Sequence, residues 1–109
     1  MAFIASCSVF GSENNNVEIR YVVKDYSADP VDKQITYPHG HTGELVVVVD
    51  NTDHWERTFE FTPKRDARLS AAVLTDDLIK MGIYIYKNGE LVESEEYNQV
   101  HSLSLTCLN

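Results

Sequence analysis

At 109 residues, 43% of them hydrophobic and 24% charged, the chain has the size and composition of one folded domain and is too apolar for a disordered segment. Its 17 acidic residues outnumber 9 basic ones, giving a net charge of −8, and its Lys and Arg are scattered. That balance lacks the clustered basic footprint needed for nucleic acid or anionic lipid headgroups, and no apolar run approaches the ~20 residues of a membrane-spanning helix.

In chain order, residues 1–16 read as a segment ahead of the domain and 17–109 as the domain itself. Ile4-Ala5-Ser6-Cys7 resembles the end of a bacterial lipoprotein signal, in which small residues precede the cysteine that is lipidated. Only six residues precede Cys7, whereas a working signal needs a charged start and an apolar stretch of about 7–15 residues. Either a longer natural signal exists or the likeness is accidental. Ser8 to Asn16, with Gly11 and three consecutive Asn, reads as a flexible tether.

Val17, Ile19, Tyr21 and Val23 alternate with polar residues and predict the first half-buried strand. Asp25 to Asp32 is a loop, followed by a short strand, Lys33 to Tyr37, that Pro38 stops and that is expected near an edge. After the turn-rich His39-Gly40-His41-Thr42-Gly43, the β-branched run Leu45 to Val49 predicts a central strand covered on both faces. Trp55, Arg57, Phe59 and Phe61 share one side of the next strand, and the aromatic side is assigned to the core.

Leu69 to Leu74 predicts a strand of small residues, and Thr75-Asp76-Asp77 a polar break. Ile79, Met81, Ile83 and Ile85 then alternate with Lys80, Gly82, Tyr84 and Tyr86. Asn88-Gly89 favours a tight hairpin turn because both positions accept positive φ. Glu90 to Glu93 is the returning strand, Ser94 to Asn98 an acidic loop, and His101, Leu103, Leu105 and Cys107 alternate with Ser102, Ser104 and Thr106 in a closing strand. Seven or eight short strands at regular spacing, with no helical period, predict a single all-β domain built as an antiparallel β-sandwich.

Leu69 to Val73, Ile83 to Val92 and Val100 to Leu105 together resemble the C-terminal half of MmpS-like and related small bacterial envelope lipoprotein domains. Shared features are a small-residue strand, an Ile-x-Ile strand leading to an Asn-Gly hairpin, and a closing strand of alternating polar and apolar residues. The resemblance covers about half the chain. It implies an immunoglobulin-like or transthyretin-like sandwich in the bacterial envelope, periplasmic or at the surface, accessory to a transport system. Those domains pair a cysteine in the hairpin strand with one in the last strand; here only Cys107 is present. They also follow a transmembrane anchor, for which this chain offers Cys7 as a lipidation site.

Cys7 and Cys107 are too few for a cysteine-based zinc site. They leave open a bridge closing nearly the whole chain or two unpaired thiols, and lipidation of Cys7 excludes the bridge. His39 and His41, two residues apart, could be joined by His54 to hold Zn²⁺ or Cu²⁺, but Gly40 sets them in a turn that reads as solvated. Asp50-Asn51-Thr52-Asp53 lacks the spacing of a calcium loop, and Glu93, Glu95 and Glu96 read as a solvated run.

No Gly-x-Ser-x-Gly turn, phosphate-cradling loop or cleft-flanking carboxylate pair is present, so neither enzyme nor cofactor is expected. Tyr84 and Tyr86, opposite the Ile stripe, form an outward aromatic face suited to binding. The sequence thus points to a non-catalytic envelope lipoprotein-like domain that binds a protein or other envelope ligand. The alternatives are a soluble interaction or inhibitory module without a lipid and a small His-dependent metalloprotein.

Overall fold

The computed structural model describes residues 3–6, 17–38, 44–61 and 68–108. Its strands are β1 (Phe3–Ser6), β2 (Val17–Asp25), β3 (Lys33–Pro38), β4 (Leu45–Asp50), β5 (His54–Phe61), β6 (Arg68–Lys87) and β7 (Glu90–Leu108). Among the described residues there is no helix, and β2 to β7 form an antiparallel sheet curled into a half-barrel, with β1 running parallel beside β7. The expected all-β, antiparallel character is present, and the described antiparallel strands number six, in one hydrogen-bonded sheet, against the seven or eight expected.

The strand count falls because two expected breaks are strand. Arg68 to Lys87 is one strand of 20 residues and Glu90 to Leu108 one of 19, paired along their length. A straight strand of that length would span about 65 Å, more than any line through a molecule measuring 42 × 22 × 21 Å allows, so the hairpin bends. The bend falls at irregularities in the ladder between Leu74 and Ile79 and between Ile79 and Met81. Thr75-Asp76-Asp77 is therefore a bulge within β6. Ser94 to Asn98, expected as a loop, belongs to β7, where Gln99 takes φ 52°.

Bending gives the same edge of β6 two partners. Its first half pairs β3 through Ile35 and Val73, and its second half pairs β2 through Val23 and Ile83. β5 then adds to β2 and β4 to β3. β3 is thus an inner strand, not the expected edge strand. β4, expected in the centre and covered on both faces, is an edge strand with one face exposed. An unbroken β-branched run satisfies either position, because strand propensity does not register how many neighbours a strand has.

The core forms where the two arms face each other. Ile19, Tyr21, Val23, Ile35, Leu69, Val73, Met81, Ile83, Ile85, Leu103 and Leu105 are buried. Tyr37 of β3 packs against Tyr21 of β2 and Trp55 of β5, with ring centroids 6.0 and 5.4 Å away. Phe59 lies 5.6 Å from Tyr21, so the aromatic side of β5 does face the core, half-buried at Trp55 and Phe59.

Below this aromatic layer lies a wholly buried ion pair. Lys33 Nζ donates to Asp25 Oδ2 at 3.1 Å and to the carbonyl oxygens of Val31 (2.7 Å) and Thr52 (2.8 Å), which uses all three ammonium protons. Asp25 also accepts from the Ser27 hydroxyl and from the Ser27 and Val31 amides. Burial pushes the Asp25 pKa up, but these donors outweigh it and hold the carboxyl below its ordinary value.

At the opposite end, Asn88 (φ 49°) and Gly89 (φ 84°) form the expected hairpin turn. Asn88 also docks on β2, its amide donating to Glu18 O and its side-chain oxygen accepting from Glu18 N.

Two predictions follow from this framework. A Cβ at Gly89 would meet no neighbour, so Gly89→Val acts through positive φ alone and should cost about 1–2 kcal/mol, measured by urea unfolding. Asp25→Asn should cost about 3–5 kcal/mol by leaving the Lys33 ammonium buried without its counter-charge. Because the folded pKa of Asp25 is depressed, its contribution is present above the unfolded value and lost as pH falls through the folded one. Stability of the variant should therefore fall less steeply than wild type below about pH 5, as read by melting temperature against pH.

Candidate functional site

Residues of β2, β6 and β7 that alternate with the buried Ile stripe build the outer face of this arm. Tyr84 and Tyr86 lie there, half-buried, while Ile83 and Ile85 are fully buried, in agreement with the alternation read from the sequence. The Arg20 guanidinium sits over the Tyr86 ring at 4.3 Å, Lys24 over Tyr84 at 5.3 Å and Lys80 over Tyr26 at 4.9 Å. Arg20 is also 3.7 Å from Glu56, and Lys80 3.2 Å from Glu96.

The Tyr84 hydroxyl donates to Glu96 Oε2 at 2.8 Å and lies 2.5 Å from the Tyr26 hydroxyl. Desolvation, then these two bonds, push the Tyr84 phenol above its ordinary pKa. Glu96 is held below its own, first by the Tyr84 hydroxyl and then by Lys80. Tyr84 reaches this position by lying over Gly82: a Cβ there would fall 2.6 Å from the Tyr84 hydroxyl oxygen and 2.8 Å from Cζ. The face is thus ordered from within, and its rings are covered by cations rather than open for stacking on a sugar.

On the inner side of β7, Glu95 opposes Ile83 and is buried. Desolvation and the neighbouring Glu93 raise its pKa. The acidic run expected to be solvated therefore splits, with Glu96 exposed and Glu95 turned inward.

His54 is exposed and 3.1 Å from Glu56. His39, His41 and Cys7, with the tether from Ser8 to Asn16, lie outside the described residues; Cys107 is described only as part of the β7 backbone, opposite Ala5 and Leu69. Among the described residues no three His, Cys, Asp or Glu side chains gather as a set of metal ligands.

The surface that the sequence reading missed is β4. Leu45, Val47 and Val49 are 68%, 52% and 74% exposed, and Leu74, beside them across Gln34, is 50% exposed. Val46 and Val48 pack inward against the core. Among the described residues β4 pairs only with β3, and its other edge has no ladder partner there. The β5 edge is different: it carries Glu56, Arg57 and Glu60, the charged residues that normally keep an edge from pairing. No local signal in the sequence marks β4 as outermost, because which strand lies at an edge is settled by long-range pairing.

No protein-family model and no curated protein matches this chain.

Gly82→Ala should displace the Tyr84 ring, since the new methyl group and the phenol cannot share one position. Spectrophotometric titration should then show one more tyrosine ionising near the ordinary value of about 10, with folding retained by circular dichroism. An unchanged titration curve would contradict the seating of Tyr84 on Gly82.

Proposed function

We propose that this chain is a non-catalytic binding domain, of the accessory kind that small bacterial envelope lipoproteins supply, and that it recognises another protein through the open edge of β4. The observation that carries this reading is the exposure of Leu45, Val47 and Val49 on a strand that, among the described residues, pairs only with β3. Contiguous apolar surface of this kind marks contact sites, and an open edge offers main-chain hydrogen bonds to an added strand. Tyr84 and Tyr86 come second as contact residues, because Arg20 and Lys24 cover their rings and the Tyr84 hydroxyl is already bonded.

A second reading, an interaction or inhibitory module without a lipid, is favoured by β1. Cleavage of a lipoprotein signal before Cys7 would remove Phe3–Ser6, which pairs with Leu105–Leu108. The mass of the mature chain from a bacterial host separates the two, since lipidation leaves Cys7 as an acylated first residue.

The edge itself is tested by selecting a displayed library of random peptides on the wild-type domain. Selected peptides should bind the Val47→Lys, Val49→Lys double variant at least about tenfold more weakly, a loss of roughly 1.4 kcal/mol. Equal affinity for wild type and variant would remove the β4 edge from the proposal.

A further inference from the structure

We infer that the end of β7, Leu105–Leu108, is a strand-acceptor site closed in cis by β1, and that a chain without β1 takes an extended, uncharged segment of the same kind in its place. This edge lies on the far side of the β6–β7 hairpin from both arms and is independent of the β4 reading. Three observations carry it. The first is the seating of β1: Phe3, Ile4, Ala5 and Ser6 run parallel to β7 opposite Leu105, Thr106, Cys107 and Leu108. Among the described residues β1 is hydrogen-bonded to no other strand, so its removal leaves every other ladder of the sheet in place. The occupant of this edge is therefore visible in the structure, with its direction and register.

The second is the composition of the edge. An open strand edge is normally guarded by charge or proline. β7 carries Glu90, Glu93, Glu95, Glu96 and His101, but from Ser102 to Leu108 neither a charge nor a proline. Its guard there is β1, whose own sequence, Phe-Ile-Ala-Ser, is likewise uncharged and free of proline. Main-chain hydrogen bonds along the ladder supply the attraction, and no charged side chain of either strand selects against the pairing.

The third is how lightly β1 is held. It has four residues, one paired side and the parallel geometry, which is slightly weaker than the antiparallel one. Residues 7–16 join it to β2, and a link of that length keeps it near β7 at an effective concentration of about 1 mM. A segment from outside competes poorly while β1 is attached and freely once it is gone. Under the lipoprotein reading, cleavage before Cys7 removes Phe3–Ser6, so the edge opens as the chain matures. The acceptor stands on the fold alone; only its opening by maturation rests on that reading.

The test uses the intact chain, a chain lacking residues 1–6 and a synthetic peptide of residues 1–6 with blocked ends, under reducing conditions and followed by amide NMR. Titrated into the shortened chain, the peptide should give saturable shifts centred on Leu105–Leu108, and the intact chain should show none. The shifts should be half complete at or below about 1 mM, since a strand that stays docked in cis binds no more weakly than its effective concentration. A peptide carrying Ile4→Pro and Ala5→Pro should not bind, because one of two successive amides must face β7. The β7 amides that face β1 should exchange with solvent at least about tenfold faster in the shortened chain and recover when peptide is added.

No shifts in the shortened chain at several millimolar peptide, or equal shifts in the intact chain, would overturn the inference. So would a shortened chain that dimerises through Leu105–Leu108 and leaves the peptide unbound, which would make a second copy the occupant. If the shortened chain does not fold, the full-length Ile4→Pro, Ala5→Pro variant takes its place, and unfolding of both would show that β1 belongs to the frame and overturn the acceptor. The mass of the mature chain is a separate measurement: residues 1–6 retained would overturn opening by maturation, and the peptide titration still decides the acceptor.

Discussion

The half-barrel depends on the pair formed by Asp25 and Lys33. Asp25 ends β2, Lys33 begins β3, and the third acceptor of the ammonium, Thr52 O, lies in the link from β4 to β5. Among the described strands no ladder joins the β2–β5 arm to the β3–β4 arm; each reaches the other only through β6. At the point where the chain crosses between them, one ammonium group holds all three segments. Moving both charges out of water is expensive, so the pair adds little net stability over a well-packed apolar substitute. What it contributes is geometry, because only one placement of the arms satisfies every donor and acceptor. The Asp25 amide bonded to Asp53 O ties the same crossing a second time.

With the crossing fixed, the rings of Tyr21, Tyr37, Trp55 and Phe59 fill the space between the arms. The arms then differ in what they show outside. The β2–β6 arm is covered by interlocked cations, tyrosines and carboxylates, with Tyr84 seated on Gly82. The β3–β4 arm shows aliphatic side chains at its border and small or hydroxyl-bearing ones inward, Thr36, Ala72 and Ser104 lying in one row. One surface is closed by its own contacts, and the other exposes Leu45, Val47 and Val49 on a strand that pairs only with β3 among the described residues.

Period-two alternation was legible wherever one face is buried: Val17 to Val23 and Ile79 to Ile85 read correctly, as did the outward Tyr84 and Tyr86 and the Asn88-Gly89 turn. Each of these depends on near neighbours in the chain. Neighbour identity was not legible. Leu45 to Val49 has the composition of a central strand, yet its position depends on β3 choosing β6 on one side and β4 on the other. The acidic run from Glu93 to Glu96 looked like a loop because carboxylates seldom face inward, but the ladder with Ile83 and Ile85 carries Glu95 inside. The Asp25–Lys33 pair was hidden for the same reason as the Gly82 seat: in each, the meaning of one residue lies in another that only the folded chain brings close.

The long β6–β7 hairpin also orders the events by which the chain folds. Its strands are joined by two turn residues, so their pairing closes almost no loop, and hairpins of this kind form within microseconds. Every partner on the other side of β6 comes from much earlier in the chain and must close a far longer loop before its contacts are made. The hairpin is therefore the most local pairing in the sheet, and both arms add to its single β6 edge. Since β2 and β3 take different halves of that edge, neither arm blocks the other, and their order of arrival is free. Ribosomal synthesis delivers β6 and β7 after β2 to β5, so the apolar sides of the earlier strands emerge before the strand on which both arms pair.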